Sequence, residues 1–341
     1  MKKIFLIILW LFQFINSHAQ TDSSQFYYQK GLTALNAKLY LVASVSFDKA
    51  IKFNPKYEDA YLQDARANLE MHRTDNAQSL LLKAYEINPA NKETISQLMN
   101  LDYDYHQYAK AVELAKKCES CAGSSRIIAL GEFENEDYGA AVDGLTKVLA
   151  ANPGDAVASY TMAQCYLEME QDEKAVPFYL QAIQSDSTQT VWMYELGILY
   201  YNLYKYPDAV KYMNMAVSRG YFGGNDLNEN LGFANLYAGN FEDGESLLAK
   251  VMARKPKDKE LIRDVAEAFY KAKQYDKSLS YCQKLLEMDM SDAKALYQAG
   301  LCFIKKGNED KGQQMCDKAI QMDPSLAGLR QVRANSSDMG L

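Results

Sequence analysis

The chain is 341 residues long, with 48% hydrophobic, 24% charged and 12% aromatic residues and only 7 prolines, a balance that excludes disordered and collagen-like chains and leaves ample material for a core. Lys and Arg number 37 against 44 Asp and Glu, a formal charge of -7, so no broad basic surface is available to a polyphosphate backbone and nucleic acid is excluded as a partner class. Three histidines, one of them in a segment expected to be removed, leave little for metal chemistry or for acid/base work near neutral pH.

The first predicted element is an address. Lys2 and Lys3 precede an apolar run from Ile4 to Ile15, broken only by Gln13, and Ser17 and Ala19 then stand at the -3 and -1 positions of a cleavage site. This resembles a bacterial secretory signal peptide over residues 1–19, cleaved after Ala19. As a helix the run rises only ~18 Å, short of the ~30 Å hydrocarbon core, and no cysteine follows it to carry a lipid. The mature chain from Gln20 is expected to be periplasmic or secreted, with no stable membrane insertion. Loss of two lysines and no acid takes its charge to 35 minus 44, or -9.

The rest repeats one motif. Ala43-x3-Phe47-x2-Ala50-x4-Pro55 recurs 34 residues later as Ala77-x3-Leu81-x2-Ala84-x4-Pro89. The small-residue landmark continues through Ala111, Ala141, Ala175, Ala209, Gly244, Ser278 and Gly312 at intervals of 34, 34, 30, 34, 34, 35, 34 and 34. Pro55, Pro89, Pro153, Pro256 and Pro324 each fall twelve residues after a landmark, where a residue without an N–H ends one helix pair and begins the next turn.

On these residues the chain resembles a tandem array of about nine tetratricopeptide repeats over residues 24–325. The resemblance implies an all-α, right-handed superhelical solenoid of paired antiparallel helices. The residues give a physical reason of their own. Small residues (Gly31 with Ala43 and Ala50; Gly300 with Gly312 and Ala319) stand where two helices must approach closely. Phe47, Leu81, Tyr179, Met213 and Leu248 recur on a helical period and fill the space between them. Tyr40, Tyr108, Tyr138, Tyr206, Phe241 and Tyr275, three residues before their landmarks, are expected to close the corner between the helices. The pattern is irregular at residues 118–125, where four residues are missing, and at 220–226, where glycines cluster. Pro177 is expected to bend its helix and Pro207 to begin one. Residues 326–333 read as a capping helix and 334–341 as a disordered tail.

Catalytic chemistry is absent from the motifs: the chain has no GxSxG, HExxH, P-loop or GxGxxG, no cofactor is expected, and the protein reads as no enzyme. His72 and His106, one period apart in equivalent turns, read as exposed loop residues, since neighbouring helices ~8–10 Å apart hold ligands too far apart for one metal. Cys118-x2-Cys121 reads as a local disulfide or two free thiols. Cys282, Cys302 and Cys316 read as buried small hydrophobes, and Cys165 has no evident partner.

In the family resembled, positions 2, 5, 9, 12 and 13 of each first helix line a concave face. Carried over, that register gives forty-five positions, ten of them aromatic; the binding face is placed at Arg126, Phe133, Tyr160, Tyr194, Tyr201, Phe233, Tyr237, Arg263, Tyr270 and Tyr297. Tyrosine joins a large contact area to a polar tip suited to recognition. No unit pairs a Lys at position 5 with an Asn at position 9, so the carboxylate clamp of the family's chaperone-tail receptors is missing. The expected function is a non-catalytic scaffold of the bacterial cell envelope that binds a peptide or protein partner in its groove. The alternative is a glycan- or cell-wall-binding protein that stacks sugar rings on the same tyrosines.

Overall fold

The computed structural model describes residues 23–328. The expected signal segment, the tail and most of the capping helix, with Leu329 and Val332, lie outside the described residues. The described residues are helical apart from turns. Two compact units divide the chain after Glu170.

The first unit contains α1 (23–36), α2 (Tyr40–Phe53), α3 (Glu58–Glu70), α4 (Thr74–Ile87), α5 (Lys92–Asp104), α6 (Tyr108–Lys117), α7 (Ser124–Glu134), α8 (Tyr138–Ala151) and α9 (Ala156–Glu168). The second contains α10 (Asp172–Ser185), α11 (Thr190–Asn202), α12 (Tyr206–Ser218), α13 (Gly224–Ala238), α14 (Phe241–Arg254), α15 (Lys259–Lys271), α16 (Tyr275–Met288), α17 (Ala293–Lys305), α18 (Glu309–Met322) and the short 3-10 turn Pro324–Leu326. Odd-numbered helices are the first of a repeat and even-numbered ones the second. Within each unit consecutive helices pack together, and first helices also touch the first helix of the next repeat, α5 on α7 and α7 on α9, α13 on α15 and α15 on α17. This leaves one face of each unit lined by first helices.

The close approach comes from the landmarks, all nine of which are buried. The residue four places on (Phe47, Leu81, Ala115, Leu145, Tyr179, Met213, Leu248, Cys282, Cys316) is buried as well. In four repeats the large residue sits over a first-helix glycine. A Cβ at Gly197 would stand 2.6 Å from Met213 and one at Gly232 2.7 Å from Leu248; Gly31 faces Phe47 and Gly300 faces Cys316 in the same way. The cavity on the first helix and the knob on the second are set sixteen residues apart in sequence, so each pair closes tightly on itself. Enlarging a landmark, Ala43→Leu or Ala175→Leu, is therefore expected to lower stability by ~1–3 kcal/mol through overpacking. A denaturant midpoint equal to wild type would remove these residues from the helix interface.

Each first helix reverses into its second through one residue in the left-handed region: Lys38, His72, His106, Glu136, Glu170, Tyr204, Gly239, Lys273 and Gly307, with φ from 55° to 89°. The next amide then donates back five residues, as Arg73 does to Asn68 (2.9 Å) and Lys205 to Tyr200 (2.8 Å), satisfying a terminal carbonyl. The two histidines owe their shared place to this turn.

The irregular places have local causes. Helix α6 has 10 residues where α2, α4 and α8 have 14, which accounts for the interval of 30. The turn after it is tied by a Cys118–Cys121 disulfide and by hydrogen bonds from Ser124 Oγ to Cys118 O and from Ser96 Oγ to Ala122 O, both 2.6 Å. The glycine-rich turn at 220–226 holds Gly220 and Gly224 at positive φ and leaves Phe222 fully outside the packing, 91% exposed. Pro207 sits at the start of α12. Pro177 does not end α10, which runs on to Ser185.

Candidate functional site

In the second unit the first-helix face carries a cleft of 210 Å³ lined by Tyr201, Phe233, Tyr237, Asp264, Glu267 and Lys271 from α11, α13 and α15. Its aromatic wall is a connected set. Tyr206 stacks on Tyr237 at 4.9 Å, Tyr201 meets Tyr206 edge-on at 5.6 Å and Tyr237 at 6.1 Å, and Tyr204, 79% exposed on its left-handed turn, stands edge-on to Tyr206 at 6.3 Å. Such contacts fix ring orientations that single surface tyrosines lack. Burial, with Tyr237, Tyr206 and Asp264 nearby, pushes the Tyr201 hydroxyl above its ordinary range, and burial raises Tyr237 too; both stay neutral. Two turns earlier on α11, Tyr194 stacks on Tyr221 at 4.6 Å and takes a 2.7 Å hydrogen bond from Asn230 Nδ2.

The acids beside the cleft are unequal. Glu267 pairs with Lys271 at 3.0 Å, Glu260 with Arg263 at 2.5 Å, and Glu229 with Lys255 at 3.8 Å. Asp264 has no ion pair among the described residues; burial first, then Glu260, Glu267 and Glu229, raise its pKa against the lowering effect of Arg263.

The first unit repeats part of this arrangement. Phe133 lies against Tyr138 at 5.8 Å and Tyr103 against Tyr108 at 5.1 Å, as Tyr270 lies against Tyr275 at 5.6 Å in the second. Burial pushes the Tyr103 hydroxyl up to about 12. Tyr160 accepts from Gln164 Nε2 at 2.8 Å. Tyr108, Tyr138, Tyr206 and Tyr275 thus do more than close corners: each supports the face aromatic five residues upstream.

Three expected face residues are placed differently. Arg126 Nε donates to Asp155 Oδ2 at 2.7 Å, and Arg263 Nη2 donates to Asp292 Oδ2 at 2.8 Å. Each aspartate also caps the following first helix, accepting from Ala158 N at 3.0 Å and Ala295 N at 2.9 Å. Both arginines are therefore staples between neighbouring first helices. The readable signal was an Arg followed 29 residues later by an N-cap Asp. Tyr297 is not on the surface: at 4% exposed it belongs to a core cluster with Cys316, Ala319 and Leu326, because the turn after Pro324 closes over the last repeat.

Other clefts lie between α2, α3 and α4, where one of 350 Å³ is lined by Ser44, Asp48, Asp64, Asn68, Asn76 and Ser79, or at the turns. His72, Arg73, Thr74, Asp75, Asn76 and Tyr105 line one of 330 Å³, and His106 Nδ1 lies 2.5 Å from Tyr108 Oη. Cys165, Cys282, Cys302 and Cys316 are buried and outside the disulfide. Burial pushes Cys165 up to about 11 and Cys282 up to about 12, which removes thiolate chemistry at neutral pH. Among the described residues no group of three His, Cys, Asp or Glu could hold a metal ion, and no helix is long and apolar enough to cross a membrane.

Comparison with known proteins addresses the repeats. Tetratricopeptide-repeat profiles match residues 132–189, 230–293 and 293–326. Curated relatives include DnaJ homolog subfamily C member 3 of Mus musculus, 27% identical over 180 residues (52% of this chain, 32% of the relative), and that of Rattus norvegicus, 23% identical over 288 residues (79% and 54%). The chain thus spans about half or less of these relatives. Solved structures that resemble it include YrrB, described as a TPR protein with an unusual peptide-binding site, 26% identical with a TM-score of 0.39, covering 53% of this chain and 92% of that one. Another is the P58(IPK) TPR domain, 18% identical with a TM-score of 0.33, covering 92% and 99%. The profile matches, the 34-residue period and the paired helices with buried landmarks make the chain a tetratricopeptide-repeat protein.

Proposed function

We propose that the protein is a non-catalytic interaction scaffold of the bacterial cell envelope, and that the first-helix face of its second unit takes an extended segment of a peptide or protein partner. The observation that carries this reading is the connected wall of Tyr201, Tyr206 and Tyr237 beside an open cleft. Preset aromatic surface with polar tips is what binding hot spots are made of. Truncation of Tyr201 or Tyr237 to Ala is expected to weaken the purified partner complex about tenfold or more, ~1–2 kcal/mol, with helical circular dichroism unchanged. His72→Ala and His106→Ala, at the turns, are expected to leave it untouched. Titration of the complex by calorimetry decides between the faces; essential histidines with dispensable tyrosines would overturn the assignment. Competition by added oligosaccharide would move the reading to glycan binding.

The envelope location rests on the order of charge, apolar run and small residues in 1–19. The exported protein is expected to begin at Gln20, and its intact mass measures this directly; retention of residues 1–19 would refute cleavage.

A further inference from the structure

We propose that the cleft at Tyr201, Phe233 and Tyr237 selects a basic side chain, an arginine or lysine of the bound segment, whose cation lies against the tyrosine rings and beside Asp264. This rests on the peptide-groove reading and adds the charge of the residue accepted.

The charge balance of the lining favours a cation. Two carboxylates and one ammonium line the cleft, and the ammonium of Lys271 is already paired with Glu267 at 3.0 Å. An incoming anion would have to displace that pair and face Asp264. An incoming cation meets Asp264, which lines the cleft and has no ion pair among the described residues. The three acids around it, Glu229, Glu260 and Glu267, each face a cation of the chain. Their presence and burial oppose its ionisation, and a bound cation relieves that opposition. The walls suit the same guest: an aromatic face attracts a cation through its quadrupole, more strongly when water is displaced, and both tyrosine hydroxyls remain neutral. Guanidinium, planar and weakly hydrated, fits stacking between ring and carboxylate better than ammonium does.

The test uses the full mature chain labelled with 3-fluorotyrosine, with the Tyr201 and Tyr237 resonances assigned through Tyr201→Phe and Tyr237→Phe. The probes are capped pentapeptides Gly-Ala-X-Ala-Gly with X as Arg, citrulline or Glu. The arginine peptide is expected to shift both resonances with a dissociation constant at least fivefold below that of the citrulline peptide, which keeps shape and loses charge. Asp264→Asn, which keeps the shape and removes the charge, is expected to erase that difference, and Glu242→Gln, an exposed acid on α14, to preserve it. Equal binding of the arginine and citrulline peptides, preference for the glutamate peptide, or an unaltered ratio in Asp264→Asn would overturn the charge selection while leaving the groove in place. Failure of every peptide to shift either tyrosine would overturn the groove reading together with it.

Discussion

Between pH 8 and pH 5 the first unit is expected to become more stable, the reverse of ordinary acid denaturation, and Asp64→Asn is expected to abolish the effect. Asp64 lies on α3 at a register position that holds Leu98, Met162, Leu196, Leu231 and Val265 in other repeats, and it is 1% exposed. Its partners are few. Asn68 Nδ2 donates to Oδ1 at 3.0 Å, and the Ser44 hydroxyl donates to the carboxylate from α2; these lower the pKa, while Asp48 on α2 raises it. Desolvation dominates and pushes the carboxyl from 3.8 up to about 7. A folded-state pKa above the unfolded value means that the folded chain holds the proton more tightly. Stability from this group is therefore full below pH ~4, falls as pH rises through ~4 to ~7, and is lost above. The rise from 3.8 to about 7 corresponds to about 4 kcal/mol at most. Asparagine keeps the acceptor toward Asn68 and presents a donor to Ser44, so at pH 8 the variant should exceed wild type by a few kcal/mol, with the gap narrowing to ~1–2 kcal/mol at pH 5 and closing near pH ~4. Urea unfolding of both proteins at the two pH values measures this. Parallel pH dependence in wild type and variant would show that Asp64 is ionised in the fold without penalty.

The same residue marks what a sequence could and could not reveal. The nine landmarks were legible because each sits where only a small side chain fits, and the 34-residue spacing fixes them independently of any one residue. The short α6 was legible as a gap of four. The left-handed turn was legible only at Gly239 and Gly307; in the other seven repeats a Lys, His, Glu or Tyr occupies it, because the array needs the reversal and tertiary packing overrides local preference. Helical register placed Tyr201, Phe233 and Tyr237 on one face, and the cleft unites them. It missed Asp264, which sits one place beyond the register positions considered, and Tyr206, read as corner packing alone. It also misread Tyr297, since register cannot tell an interior repeat from one covered by a terminal turn. For the arginines, register gives the direction of a side chain and says nothing of an aspartate 29 residues on that takes its charge.

The ion pair of Arg263 with Asp292 yields the other large effect. Arg263→Met is expected to destabilise the second unit by ~2–3 kcal/mol, because it leaves Asp292 charged, nearly buried and held only by its helix-capping bond. The side chains are 19% and 7% exposed, so the cost falls below the ~3–5 kcal/mol of a fully buried broken pair. Asp292→Asn should cost less, ~1 kcal/mol, since the amide oxygen can still cap α17 and Arg263 keeps Glu260 at 2.5 Å. The double variant should fall short of the sum of the two, as expected of residues in contact. In the first unit Arg126→Met should follow the same course with a smaller loss, its pair with Asp155 being 27% and 11% exposed. Denaturant midpoints for the four proteins, with partner affinity measured on each while folded, separate the two roles an arginine could have here. A staple lowers the midpoint and leaves the affinity of the folded protein near wild type. An unchanged midpoint with lost affinity would return Arg263 to the binding face and remove the ion pair with Asp292 from the forces that hold α15 to α17.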